Sequence, residues 1–409
     1  MSSPSAEGEP RDVAIVGGGI AGSALAFALA SAGVDVLVLE RQAGYTDHVR
    51  GEIVWPWGVR AARALGVEQL LIDGGGQHVD AFHIYDEGSA EPLKLDVSQA
   101  VREVPGTLNI RHPVACSVLA QAAVAAGASV RTGVRDVHAS PGELRWTDAQ
   151  GRQHETTCRV LVGADGRRSS VRAQARIGLE VDPPAHLIAG MLVDAVPGMD
   201  LGVNVMARER DVIFYSFPQR DGKARLYFSF PNGQQDSFAG RDRAKRFLAT
   251  SALACLEGVA DWTSAQPAGP CATFPGEDSR ADSPLGDGVV LIGDAAGYEN
   301  PLQGQGLSMA LQDAGDVATC LLSGGDLAEY AERRTVRKRL ADLGTVVELW
   351  TNEGLVTQDP AERAARVEYV ESDELLARLE VSFMCGFDRV PADVTHAQVA
   401  ERLAAYAPR

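Results

Sequence analysis

The chain has 409 residues, 45% hydrophobic and 23% charged, which is enough for two packed domains of a folded soluble protein. Its net charge of -17 argues against nucleic acid or an anionic membrane as a partner, since both select clustered positive charge. Six scattered cysteines, Cys116, Cys158, Cys255, Cys271, Cys320 and Cys385, form no Cys-x-x-Cys pair; that pattern offers no metal site or redox dithiol and fits a reducing cytoplasm.

The first ten residues read as disordered. From Val13 to Val34 the chain is uncharged and apolar, yet Val13-Ala14-Ile15-Val16 has strand character, glycines follow, and Ala24 to Ala32 favour helix. This is a strand, a turn and a helix, not a membrane span, and no stable membrane insertion is expected elsewhere. Gly17, Gly19 and Gly22 stand in G-x-G-x-x-G spacing, and a second strand, Val36 to Leu39, ends at Glu40 and Arg41. The flanking strand, the helix and the closing acid together make a dinucleotide fingerprint. Gly17 permits the tight turn, Gly19 lets backbone approach a pyrophosphate, and Gly22 lets the helix pack on the sheet. The helix start at Ile20 and Ala21 points unpaired N–H groups at phosphate, while Glu40 accepts from ribose hydroxyls. An acid there suits FAD or NAD better than NADP.

Further along, Cys158 to Val162 reads as a strand entering "GADGRRSSVR", where Asp165 and Gly166 make a turn and Ser169 or Ser170 can cap a helix. Residues 181–280 change to strands, "HLIAGMLVDA", "DVIFYSFP" and "ARLYFSFP". Alternation puts Tyr215 with Phe217 on one face and Phe228 with Phe230 on another, and these four with Met191 and Met206 are candidate walls of a substrate pocket. Val289 to Ile292 then leads into "GDAAGYENPLQGQGL", a turn carrying Asp294, with Gly304, Gln305, Gly306 and Leu307 opening a helix. A glycine-rich helix start stabilises negative charge and lets a flat ring approach backbone N–H groups. The last 65 residues or so are helical in pattern, and "RRTVRKRL" just before them reads as an exposed helix face.

The glycine fingerprint with Glu40 and Arg41, the "GADGRRSSVR" turn and "GDAAGYENPLQGQGLSMALQDA" occur in the order and spacing of FAD-dependent monooxygenases similar to p-hydroxybenzoate hydroxylase. That resemblance implies an α/β fold: a discontinuous Rossmann-like FAD-binding domain (1–80, 106–180, 281–345), an antiparallel β-sheet substrate domain (81–105, 181–280) and a C-terminal helical region (346–409). It nominates Arg50, within "VRGEIVWPWGVRAARALG", as an arginine reaching the flavin, and Arg111 as one introducing a helix over the pyrophosphate. Asp294 matches the aspartate on the ribityl chain, Asp165 the one in the turn associated with FAD and reduced nicotinamide, and Pro301 the proline on the flavin's substrate side. Pro301, Gly304 and Gln305 would position flavin and substrate through backbone, with no side-chain acid or base assigned.

The activity so implied is reduction of bound FAD by transient NAD(P)H, then oxygen transfer from a flavin C4a-hydroperoxide to an aromatic, quinone-like or alkene small molecule, with O₂ as co-substrate. One departure stands out. Many aromatic hydroxylases of the family follow Gly-Asp-Ala-Ala with histidine, and this chain has Gly297, as flavin halogenases and prenyl reductases do. Those two activities stay open, as does a non-enzymatic relative that binds a lipidated partner. Halogenases also use a pocket lysine, and lysine occurs here only at 94, 223, 245 and 338.

Overall fold

The computed structural model describes residues 9–352 and 359–407. Most of the amino-terminal stretch expected to be disordered, residues 1–8, lies outside them.

Five parallel strands form the centre of the first sheet. Their spatial order is Ser129–Thr132, Val36–Glu40, Arg11–Val16, Gln153–Gly163 and Val289–Leu291, with Leu285–Gly286 antiparallel at the far edge. Numbered along the chain this is 3-2-1-4-5, the doubly wound order in which the crevice lies where the winding reverses, beyond the carboxyl ends of strands 1 and 4. The strands are near-continuous apolar runs because both faces are covered. Helices Ile20–Ser31, His112–Ala125 and Gly306–Ser323 pack together on one face.

A seven-stranded sheet forms the second layer, in the order Gln266–Gly276, His186–Asp194, Ala224–Pro231, Val212–Pro218, Val203–Glu209, Ala81–Asp86 and Leu93–Asp96. All neighbours are antiparallel except Ala81–Asp86, which runs parallel to Val203–Glu209. Its central strands His186–Asp194, Ala224–Pro231 and Val212–Pro218 are buried on both faces. Met206, Tyr215, Phe217 and Tyr227 belong to the core shared with the first domain, whereas Met191, Phe214, Phe228 and Phe230 form an outer core with Phe238, Phe247 and Trp262.

Among the described residues four helices follow residue 326: Leu327–Thr351, Pro360–Ser372, Glu374–Cys385 and His396–Ala404. The first runs unbroken through position 345, past Gly344, which lies close against Leu379 of a later helix. It also corrects the reading of "RRTVRKRL" as an exposed face. Arg334 and Lys338 are 2% and 4% exposed, each held among buried carboxylates. Charge alone does not put a helix face in water when the partner elements carry matching acids.

Candidate active site

The three sequence motifs emerge side by side. Val16, Gly163 and Leu291 are in register at the ends of neighbouring parallel strands, so the turns at Gly17, Ala164 and Gly293 open at one edge of the sheet. The first two turns touch: Gly17 has φ +108°, and a Cβ on it would lie 2.2 Å from the Ala164 carbonyl oxygen. A Cβ on Gly22 would lie 2.0 Å from the Gly17 carbonyl oxygen, so glycine here is what allows helix Ile20–Ser31 to sit against the turn. Gly19 differs, because a Cβ there would meet nothing within 4 Å. It is the N-cap of a helix with no side-chain cap, leaving the N–H groups of the first turn at Ile20 and Ala21 open to an anion.

Glu40 closes the second strand beside this turn. Its carboxylate accepts from the backbone N–H of Gly18 at 2.7 Å and of Gln42 at 2.7 Å, which fixes its direction and leaves lone pairs for ribose hydroxyls. Tyr45 donates to the Gly18 carbonyl oxygen at 2.6 Å and adds a wall that sequence reasoning did not identify. Arg41 is exposed next to this group.

Asp165 is bonded within its own turn. Its carboxylate accepts from Ser169 Oγ at 2.5 Å, from the Ser170 N–H at 2.6 Å and Oγ at 2.9 Å, and from the Val171 N–H at 3.2 Å. The side chain thus braces the start of the short helix Ser170–Gln174, whose N-cap is Ser169, as the sequence allowed, with Ser169 Oγ accepting from the Arg172 N–H at 2.9 Å. It holds the turn's shape, and only the turn's backbone faces the Gly17 side.

Asp294 is free for a ligand. Its side chain makes no hydrogen bond among the described residues, and burial pushes the carboxyl above the usual range against the pull of Arg50, Arg334 and Arg167. Arg50, an exposed residue, is one of the charges acting on Asp294. Its own loop is pinned to the second sheet by Tyr227, which donates to the Arg50 carbonyl oxygen, and by Arg225. The Arg225 guanidinium, fully buried, reaches Asp47 at 2.6 Å and Glu52 at 2.8 Å. Arg111 is the N-cap of helix His112–Ala125, which packs on helix Ile20–Ser31; its guanidinium stands 3.8 Å from Asp221 in a groove of about 200 Å³ with Gly74, Gly75 and Arg220.

Helix Gly306–Ser323 begins without a side-chain cap, and a Cβ on Gly306 would again meet nothing within 4 Å. Leu307 is half-buried on the first turn. Gln305 is buried, its Nε2 donating to Gln303 Oε1 at 2.9 Å while its own Oε1 has no partner. Before it, Pro301–Gln303 forms a single 3-10 turn ending at Gly304, φ +64°. Tyr215 donates to the Leu302 carbonyl oxygen at 3.0 Å and Trp55 Nε1 to that of Gln303 at 2.8 Å. Gly297, where the chain departs from the aromatic hydroxylases, has φ +145°, and a Cβ there would be 2.6 Å from the Ser279 carbonyl oxygen. The departure answers a local backbone demand.

Of the expected pocket residues, the structure brings Met206, Tyr215 and Phe217 to the face over this turn. Met191, Phe228 and Phe230 are corrected: they lie in the outer core, where Phe228 packs on Phe214, Phe238 and Phe247. Alternation correctly separated the faces but could not say which one looks inward. Missed were Trp55 and its partners Phe82 and Phe383, at ring separations of 5.6 and 4.7 Å. Their signal was present in "VWPWG", since Gly58 lets helix Pro56–Ala64 cross within 2.6 Å of Ser308, measured from a built Cβ.

Two uncapped helix starts with open glycines, an acid beside the first and an unpartnered carboxylate beside the second define a protein that binds an extended dinucleotide across a doubly wound sheet. Residues 11–331 match the FAD binding domain family, and the chain belongs to it. FAD is its cofactor, and the open helix start at Gly19, the fixed carboxylate of Glu40 and the unpartnered carboxylate of Asp294 offer donors and acceptors of the kind it needs.

The chain is 26% identical over 315 residues to squalene monooxygenase SE2 of Panax ginseng, covering 75% of this chain and 57% of that one. It is 26% identical over 399 residues to 6-methylpretetramide 4-monooxygenase of Streptomyces rimosus, covering 93% and 88%. It thus spans just over half the length of the squalene-oxidising relatives. In fold it is similar to p-nitrophenol 4-monooxygenase of Pseudomonas putida DLL-E4, with TM-score 0.75 and 19% identity over 94% of this chain and 100% of that one. It is also similar to a flavin-dependent brominase, with TM-score 0.74 and 17% identity over 97% and 98%. Among the described residues no helix is long and apolar enough to cross a membrane.

Proposed function

We propose that the protein is an FAD-dependent monooxygenase that uses NAD(P)H and O₂ to hydroxylate or epoxidise an aromatic, quinone-like or alkene small molecule. The observation that carries this reading is the aromatic face of the second sheet closed over the Pro301–Gly304 turn, with Tyr215 and Trp55 bonded to its carbonyls. Bound FAD supplies the electron exchange with NAD(P)H and the activation of O₂. The chain's share is to bind, orient and exclude water. Unpaired N–H groups at the start of helix Gly306–Ser323 stabilise negative charge on the ring placed there. Met206, Tyr215, Phe217, Trp55 and Phe82 offer an apolar wall to an unsaturated substrate and keep water from the reacting region.

The monooxygenase names of the relatives support this reading over a prenyl reductase. A halogenase would need a pocket lysine. Lys94 and Lys245 are exposed, Lys223 pairs with Asp221 and Asp194, and Lys338 is enclosed by three carboxylates. Incubation with NAD(P)H, ¹⁸O₂ and a panel of phenols, quinols and polyenes tests the proposal. One labelled oxygen atom in a product is expected; a product carrying bromide or chloride, added to parallel incubations, in place of labelled oxygen would replace it with halogenation.

A further inference from the structure

Lys338 lies on helix Leu327–Thr351, facing inward and 4% exposed. Its Nζ stands 2.9 Å from Asp278 Oδ1 and 3.3 Å from Glu299 Oε2, and it also donates to Asp342 Oδ1 one turn along the helix. One oxygen from each of these three buried acids lies within 4.8 Å of the others. That spacing suits a cation, and here the ammonium is the cation. Burying three carboxylates around one amine is poor as a source of stability alone, since desolvation offsets most of the attraction. The arrangement invites the question of what it holds.

It holds the turn over the cofactor site. Asp278 Oδ1, besides taking Lys338, accepts the Asn300 N–H at 2.8 Å. Asn300 Oδ1 in turn accepts the Leu302 N–H at 3.0 Å and meets His186 Nε2 at 2.8 Å. Glu299 is shared with Arg334 at 3.4 Å, and Arg334 also donates to the Gly297 carbonyl oxygen at 3.2 Å. From the opposite side the carbonyls of Leu302 and Gln303 are taken by Tyr215 and Trp55. The stretch from Gly297 to Gln303 is therefore suspended between a buried charge cluster and an aromatic roof. The adenosine end, at Gly19 and Glu40, has no link to the cluster through these bonds.

We propose that Lys338 is a positioning residue that sets the Asn300–Gly306 turn against the flavin half of FAD, acting through Asp278 and Glu299. This rests on the placement of the flavin at that turn. A role confined to folding would affect both halves of the cofactor site alike; a positioning role acts on one.

The test compares FAD and ADP affinity, by fluorescence titration of apoprotein, in the wild type, Lys338→Met and Asp294→Ala. Because Lys338→Met leaves three buried acids facing one another, the double variant Lys338→Met/Asp342→Leu, which removes one charge of each sign, is measured beside it. The expected result is a rise of at least tenfold in the FAD Kd of the Lys338 variants, with the ADP Kd within twofold of wild type. FAD affinity retained in both Lys338 variants but lost in Asp294→Ala would overturn the role of Lys338 alone. Equal weakening of FAD and ADP would overturn it in favour of a folding role. FAD affinity retained in Asp294→Ala as well would overturn the flavin placement on which it rests.

Discussion

Gly19 and Gly22 are three residues apart in one motif, and the geometry assigns them opposite sensitivities. A Cβ on Gly22 would stand 2.0 Å from the Gly17 carbonyl oxygen, so Gly22→Ala must move helix Ile20–Ser31 off its strand by about 1 Å, an overpacking strain of roughly 1–3 kcal/mol. At about 2.1 cal/mol/K of unfolding entropy per residue, a chain of this length loses about 3–4 °C of Tm for a 3 kcal/mol strain. Gly19→Ala meets no atom within 4 Å and sits at φ -73°, open to any residue, so the apoprotein should melt within about 1 °C of wild type, as expected for substitutions that disturb no packing. Its methyl group instead fills the approach to the first-turn N–H groups. Losing one charge-assisted hydrogen bond costs roughly 1.5–3 kcal/mol, or about 10- to 100-fold in FAD affinity. Thermal melts of both apoproteins and an FAD titration separate the two effects. Wild-type FAD affinity in Gly19→Ala would refute the placement of the diphosphate, whatever Gly22→Ala does.

Asp294→Ala should weaken FAD binding by at least tenfold while barely changing the apoprotein's melting, since the side chain bonds to nothing else; a variant purified fully yellow would count against it. Tyr215→Phe removes the bond to Leu302, about 0.5–1.5 kcal/mol, and should divert more NAD(P)H to peroxide; unchanged peroxide yield with a found substrate would separate Tyr215 from the turn's function. Burial, with Glu348 beside it, pushes the Glu380 carboxyl up to about 7. The native state then keeps a proton that the unfolded chain has lost between about pH 4.5 and 7, so stability falls as pH rises through that window. Glu380→Gln should flatten the Tm profile there, and an unaltered slope would assign the effect to other groups. Arg225→Met strands buried Glu52 and should cost about 3–5 kcal/mol, with the loss largely recovered in Arg225→Met/Glu52→Gln on denaturant melts.

Much of the first domain was legible because its constraints are local. Gly22 is needed by a contact within one strand, turn and helix, and Glu40 lies at the end of the next strand; motif spacing carries both, whereas the atom that excludes a side chain at Gly17 belongs to the distant Ala164. The roof sheet's alternation was legible too, but whether Tyr215 or Phe228 faces the cofactor depends on which layer covers which side, a long-range fact. Asp165 shows another limit. The serines that could cap a helix were visible, and Ser169 does cap it, yet spacing does not reveal that Asp165 accepts from both of them. Lys338 and Arg334 were hidden for a similar reason. A basic run reads as solvated unless its acids can be placed, and Asp278, Glu299 and Asp313 come from separate segments.

Visible spectroscopy of the purified protein under anaerobic titration with NADH or NADPH, followed by readmission of O₂, tests the central claim most directly. The account predicts a yellow protein with about one FAD per chain, bleached by a nicotinamide and recoloured with uptake of O₂. A colourless protein that takes up no FAD on incubation would contradict it.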